Sequence, residues 1–168
     1  MARKLPIIDL VRLGDDKALA IAAYGQAVAA YRYIVLAEKA RDAKLRQSFE
    51  EMVRQENIQR DRTQELLNRL FPAACFFLSS ADKSLVCVGP RLVDARDDAR
   101  FDEAMKLIIA SEKRAVSFYT RYAVLARSPE VRNLFHELAN QGLLRVRELR
   151  TVFNAAGKQI TEACPIQW

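Results

Sequence analysis

Histidine is nearly missing from this sequence: His136 is the only one in 168 residues. The three cysteines, Cys75, Cys87 and Cys164, are widely spaced and form no CxxC pair. That pattern excludes a zinc knuckle, a four-cysteine iron site and a thioredoxin-type motif, and leaves ordinary thiols. A Cys75–Cys87 bridge would need an oxidising compartment to which nothing else in the sequence points. Glycine and proline are scarce, five of each. With alanine, leucine, arginine and glutamate abundant, the mixture favours helices over strands. No apolar stretch reaches the roughly 20 residues of a membrane span. The basic start, Met1-Ala2-Arg3-Lys4-Leu5-Pro6, has neither an apolar run nor a small-residue cleavage site behind it. A cytoplasmic protein with no membrane contact is expected.

The length suits one domain spanning 1–168, with about half of its residues apolar (51%) and a substantial single core. The net charge of +6 and pI near 9.4 raise the question of nucleic acid. Basic residues alternate with carboxylates, as in Lys39, Arg41, Asp42, Lys44 and Arg46. That is a solvated helical surface rather than a basic stripe, so no nucleic-acid partner is expected.

Residues 1–14 read as an extended lead-in, followed by Asp15 or Asp16 as a helix N-cap. Small and apolar residues at 22, 26, 29, 30, 33, 36, 37 and 40 then share one helical stripe as far as about Arg41. A second helix is predicted from about Lys44 to Leu70, with Leu45, Phe49, Met52, Glu56, Gln59, Thr63 and Leu66 or Leu67 inward. Phe71-Pro72 ends it, since proline disfavours helix in the residue before it. Residues 71–100 form a long connection in which Leu85-Val86-Cys87-Val88 has the pattern of an extended run. A third helix is predicted over about 101–127. Ser128 and Pro129 start a fourth as N-cap and first helical residue, and Gly157 closes it as C-cap.

Laying residues 102–154 on 16–68 aligns them without a gap, with twelve identities in 53 positions. Tyr33 meets Tyr119, Phe49 meets Phe135, and the turn residues Ala40 and Arg41 meet Ala126 and Arg127. A duplicated hairpin follows, its copies at about 15–70 and 101–156. Each predicted helix is roughly 40 Å long at 1.5 Å per residue. The joins within each copy are short, so each pair must run antiparallel. The middle connection is long enough to run the length of the bundle. The expected fold is all-α: a ferritin-like antiparallel four-helix bundle of two hairpins with one long crossover.

Two motifs sharpen this. Gln26-x-x-Ala29-x-x-Arg32-Tyr33 and Glu112-x-x-Ala115-x-x-Phe118-Tyr119 are similar to the E-x-x-A-x-x-R/F-Y pattern of rubrerythrins. Phe49 with Glu56-x-x-Gln59, and Phe135 with Gly142-x-x-Arg145, resemble that family's F-x6-E-x-x-H element. The resemblance covers about residues 15–155. It implies a di-iron carboxylate bundle, which takes one Glu from each of two helices and Glu-x-x-His from each of the other two, and implies peroxide reduction.

Carried over position by position, that ligand set is degenerate here. Gln26 stands for Glu, Gln59 for His, and Gly142 and Arg145 for Glu and His; Glu56 and Glu112 alone remain. His136 lies about 240° round its helix from Gly142 and faces away from the centre, and Glu137 and Glu148 are off the inner face. No rubredoxin-like domain accompanies the bundle. Two facing carboxylates repel, and the alternatives are one neutral glutamate with Arg145 turned to solvent or a counter-charge between them; a guanidinium supplies such a charge with a fork of donors. Arg145 is therefore expected to bridge Glu56 and Glu112, with Gln26 and Gln59 completing the hydrogen bonds and Gly142 leaving room for the arginine. Tyr33 and Tyr119 are read as core tyrosines bonded to a central carboxylate.

The function expected is that of a metal-free, non-catalytic scaffold or interaction protein, a homodimer without cofactor. The alternative is a non-haem di-iron or mono-metal oxidoreductase with iron on Glu56 and Glu112 and a partner-completed site.

Overall fold

The computed structural model describes residues 9–155. Four long helices make the bundle: α1 (Asp15–Lys39), α2 (Ala43–Leu70), α4 (Asp98–Leu125) and α5 (Pro129–Ala155). A single short helix, α3 (Ser80–Ser84), interrupts the crossover, and a 3-10 turn at Leu10–Arg12 precedes α1. No strand occurs among the described residues. Gly157, Cys164 and the tail lie outside them; Cys75 and Cys87 are free thiols.

The two hairpin turns are built alike. In the first, the Ala40 amide donates to Leu36 O, Asp42 caps the next helix by accepting from Leu45 N, and the Arg46 guanidinium donates to Ala40 O at 3.0 Å. In the second, the Ala126 amide donates to Tyr122 O, Ser128 accepts from Val131 N, and Arg132 donates to Ala126 O at 3.1 Å. Each arginine satisfies a carbonyl that the end of the preceding helix leaves open.

Several sequence expectations need correction. The N-cap of α1 is Gly14, not Asp15 or Asp16. Asp15 is buried and reaches the far turn instead, accepting from Tyr122 Oη (2.8 Å), Arg127 N (3.1 Å) and Ser128 N (2.8 Å). A carboxylate with three donors at another helix's start is better satisfied there than at its own first turn. The segment 85–88 is not extended: Leu85 and Val86 turn off the end of α3, whose Ser79–Asp82 capping box fixes its start. Val86 then packs against Gly25 so closely that a Cβ on that glycine would lie 2.8 Å from it.

The membrane expectation also changes in detail. Helix α1 is long and apolar enough to cross a membrane by length and composition. Yet 61% of that window is buried inside the bundle, as in a core helix that is apolar on several sides.

Two apolar clusters fill the interior. One gathers Leu19, Leu66, Phe118, Tyr122, Leu134 and Phe135; the other holds Leu36, Phe49, Met52, Met105, Ile108 and Leu149. Full burial of each such side chain contributes on the order of 1.5–3 kcal/mol. All four long helices also contribute buried polar groups, among them Gln26, Glu56, Gln59, Glu112 and Arg145.

Candidate functional site

Helical spacing places the polar residues. Gln26 and Tyr33 are two turns apart on α1, Glu56 and Gln59 one turn apart on α2, and Glu112 and Tyr119 two turns apart on α4. From α5, Arg145 enters with only 4% of its surface exposed. Its Nη1 lies 2.7 Å from Glu56 Oε1 and 3.3 Å from Glu112 Oε2, so one nitrogen joins both carboxylates. The Tyr33 hydroxyl donates to the other oxygen of Glu112, Oε1, at 2.6 Å. Tyr119 lines the same cavity without a hydrogen bond to either carboxylate.

Three residues behave differently from expectation. Gln26 donates its Nε2 to Thr63 Oγ1 at 3.1 Å and does not complete the Arg–Glu hydrogen bonds. Thr63 is one turn from Gln59, whose carbonyl accepts the Thr63 hydroxyl at 2.8 Å, so a ready acceptor sits beside Gln26. Gln59 turns to the Gln141 amide, reaching across to α5 rather than into the cluster. Gly142 does not leave space for Arg145. A Cβ there would meet Val116 Cγ2 at 2.5 Å, so the missing side chain lets α4 approach α5. His136 and Glu137 are exposed, and Glu137 pairs on the surface with Arg62.

Comparison with known proteins follows this geometry. A family model described as rubrerythrin matches residues 17–141. The chain belongs to the rubrerythrin family. A search of curated proteins finds no match. A solved hypothetical protein from Pyrococcus furiosus is similar in fold, with a TM-score of 0.74 and 19% identity over 90% of this chain and 95% of that one.

The rubrerythrin family implies a pair of iron ions at this centre, and the residues here do not fit that group. Among the described residues, two carboxylates are the anionic donor set of this centre, and both already face a guanidinium that stays charged. No group of three or more His, Cys, Asp and Glu side chains suited to a metal ion occurs among the described residues. Two irons need several anionic or imidazole ligands. The rubrerythrin position at Gly142 is moreover closed to a longer side chain by Val116.

Protonation adds to this. Burial raises the Glu56 carboxyl well above the ordinary range; Arg145 opposes this, and the charge of Glu112 and a hydrogen bond to it raise Glu56 further. Burial thus favours the neutral form of Glu56, against the pull of the guanidinium. Arg145 behaves oppositely: burial disfavours its charge, but Glu112 and Glu56 outweigh burial and hold it above its usual value. Burial, then Glu112, raises the Tyr33 phenol; burial, then Glu56, raises Tyr119.

A carboxyl with a higher pKa folded than unfolded takes up a proton on folding. Its contribution to stability is complete below the unfolded value, about 4.3, and falls as pH rises from there toward the folded value. Glu56→Gln keeps the size and removes the titration. Thermal midpoints measured against pH should fall less steeply in that variant above about pH 4.3. Parallel curves for the two proteins would count against the raised Glu56 carboxyl.

One buried group escaped the sequence reading. Arg32 matches the arginine of the rubrerythrin pattern, but nothing in the sequence shows what it holds. It is 1% exposed and has no carboxylate partner among the described residues. Its guanidinium donates to Ser111 Oγ (2.7 Å), Pro90 O (2.6 Å), Val88 O (2.9 Å), Cys87 Sγ (3.2 Å) and Arg91 O (3.5 Å). The positive φ of Gly89, 72°, turns the chain so that the carbonyls on either side of it converge on the arginine.

Proposed function

We propose that this rubrerythrin-family protein is a metal-free, non-catalytic bundle with a scaffold or interaction role, assembled from a duplicated hairpin. The observation that carries this is the position of Arg145 Nη1 between Glu56 and Glu112, where the family pattern would put iron. A fixed cation pairs with both carboxylates and occupies the oxygens a metal ion would need. Of the neighbouring polar groups, Gln26 bonds to Thr63, Gln59 to Gln141 and Tyr33 to Glu112. The cavity at the centre is about 20 Å³, too small for an organic substrate.

An interaction role needs surface. Ile58 and Leu144 are 60% and 62% exposed and flank the groove between α2 and α5. This apolar surface supports association, and a homodimer is the form we propose. Sedimentation of the full chain should give twice the monomer mass; a monomer at all concentrations would remove the dimer from the proposal.

Metal content tests the reading directly. Iron, manganese and zinc per chain, measured on untagged protein purified without chelator, should total below about a tenth of an equivalent. One to two equivalents, lost in Glu56→Ala or Glu112→Ala, would overturn it and restore an iron oxidoreductase.

A further inference from the structure

Three polar atoms at the centre of the bundle have no protein partner: Gln26 Oε1, Arg145 Nε and Arg145 Nη2. Both residues are buried, at 1% and 4% exposure, and both line the central cavity. An unsatisfied buried polar group costs about 1–3 kcal/mol, more when charged, and native interiors hold few of them. With both residues on the lining of one cavity, these atoms call for a guest that supplies both an acceptor and a donor.

Size decides what that guest is. The cavity has about 20 Å³ of space, and one water needs on the order of 10–15 Å³. An organic molecule is too large. A halide would accept from Arg145 but would offer no hydrogen to Gln26 Oε1, and it would stand beside the Glu112 carboxylate. Water accepts from the guanidinium and donates to the amide oxygen.

We infer that the central cavity is a binding site for one water molecule that bridges Arg145 and Gln26. The inference rests on the proposed metal-free Arg–Glu core, which supplies the free guanidinium edge. The water satisfies Arg145 on the side away from the glutamates, so that a single arginine joins α2 and α4 through Nη1 and α1 through the solvent molecule. Gln26 thereby belongs to the cluster at one remove, although its amide nitrogen is committed to Thr63.

A crystal structure of the full chain, grown in bromide and measured at the bromine and iron absorption edges, tests this. The expected result is one peak without anomalous signal, within about 3.2 Å of Gln26 Oε1 and of an Arg145 nitrogen. A bromide signal there, or a dry cavity with Arg145 still between the glutamates, overturns the water site and leaves the metal-free core standing. An iron signal overturns the metal-free core itself. In solution, oxygen-17 relaxation dispersion should detect one long-lived internal water in the wild type. Gln26→Leu, which removes the acceptor and leaves Arg145 in place, should lose it while keeping its helical circular dichroism. Equal dispersion in the two proteins overturns the inference.

Discussion

Replacing Arg145 by alanine is expected to lower stability by about 3–5 kcal/mol, because it removes one partner of a buried ionic cluster and strands the other. In a chain of this size that corresponds to a fall of roughly 10 °C in thermal midpoint. Glu56 is 3% and Glu112 6% exposed, so bulk solvent does not replace the guanidinium at either carboxylate. Without Arg145 the carboxyl groups would have to be neutralised by protons or carry charge unpaired in a low-dielectric core.

Loss of side-chain volume contributes as well, and a companion variant separates the two causes. Arg145→Met fills most of the space without charge. It should remain strongly destabilised alone and recover most of the loss when combined with Glu56→Gln and Glu112→Gln, since replacing a whole buried ionic set is often neutral. A midpoint that moves by only a degree or two in Arg145→Ala, or a triple variant no better than Arg145→Met, would show that the cluster does not hold the core together.

The second large effect is expected at Arg32. Its five acceptors include four on the crossover segment 87–91, so the guanidinium fastens that segment to α1 and, through Ser111, to α4. Arg32→Leu keeps helix propensity and apolar bulk but leaves Pro90 O and Arg91 O without this donor. At about 1–3 kcal/mol for each acceptor left unsatisfied in the interior, and less where water reaches, the loss should be about 2–4 kcal/mol. The effect should also be local. Amide exchange in residues 86–96 should rise well above the wild-type rate, while the hairpin cores around Phe49 and Phe135 stay protected. Uniform exchange changes along the chain, or none in the crossover, would refute the fastening role.

Much of this architecture is legible along the chain because helices advertise themselves by period. The inward stripe of the second helix, from Phe49 through Met52, Glu56, Gln59 and Thr63 to Leu66, is buried as the 3.6-residue repeat requires. The same repeat puts Glu112 and Arg145 on inner faces and His136 outside. Proline at 72 and 129 marks real helix boundaries, because the missing N–H and the steric demand on the preceding residue act locally. The start of α4 was harder. Asp97 caps it by accepting from Arg100 N, four residues before the apolar pattern begins at Phe101, so periodicity alone sets the boundary late.

The sequence by itself therefore determined the four long helices, the two hairpins, the family pattern and the inner positions that carry polar side chains. Each of these depends on interactions within a few residues or on the angle a residue makes around its helix. Tertiary structure decided the partners. Gln26 and Gln59 share inner faces with the glutamates, yet in the packed bundle they bond to Thr63 and Gln141. Gly142 became a contact with Val116, Asp15 became the cap of a distant turn, and Arg32 became the anchor of the crossover. Helical period fixes the direction in which a side chain leaves its helix. The distance to the group it meets depends on how closely two helices approach and on where a loop crosses them, and neither is written in the local pattern.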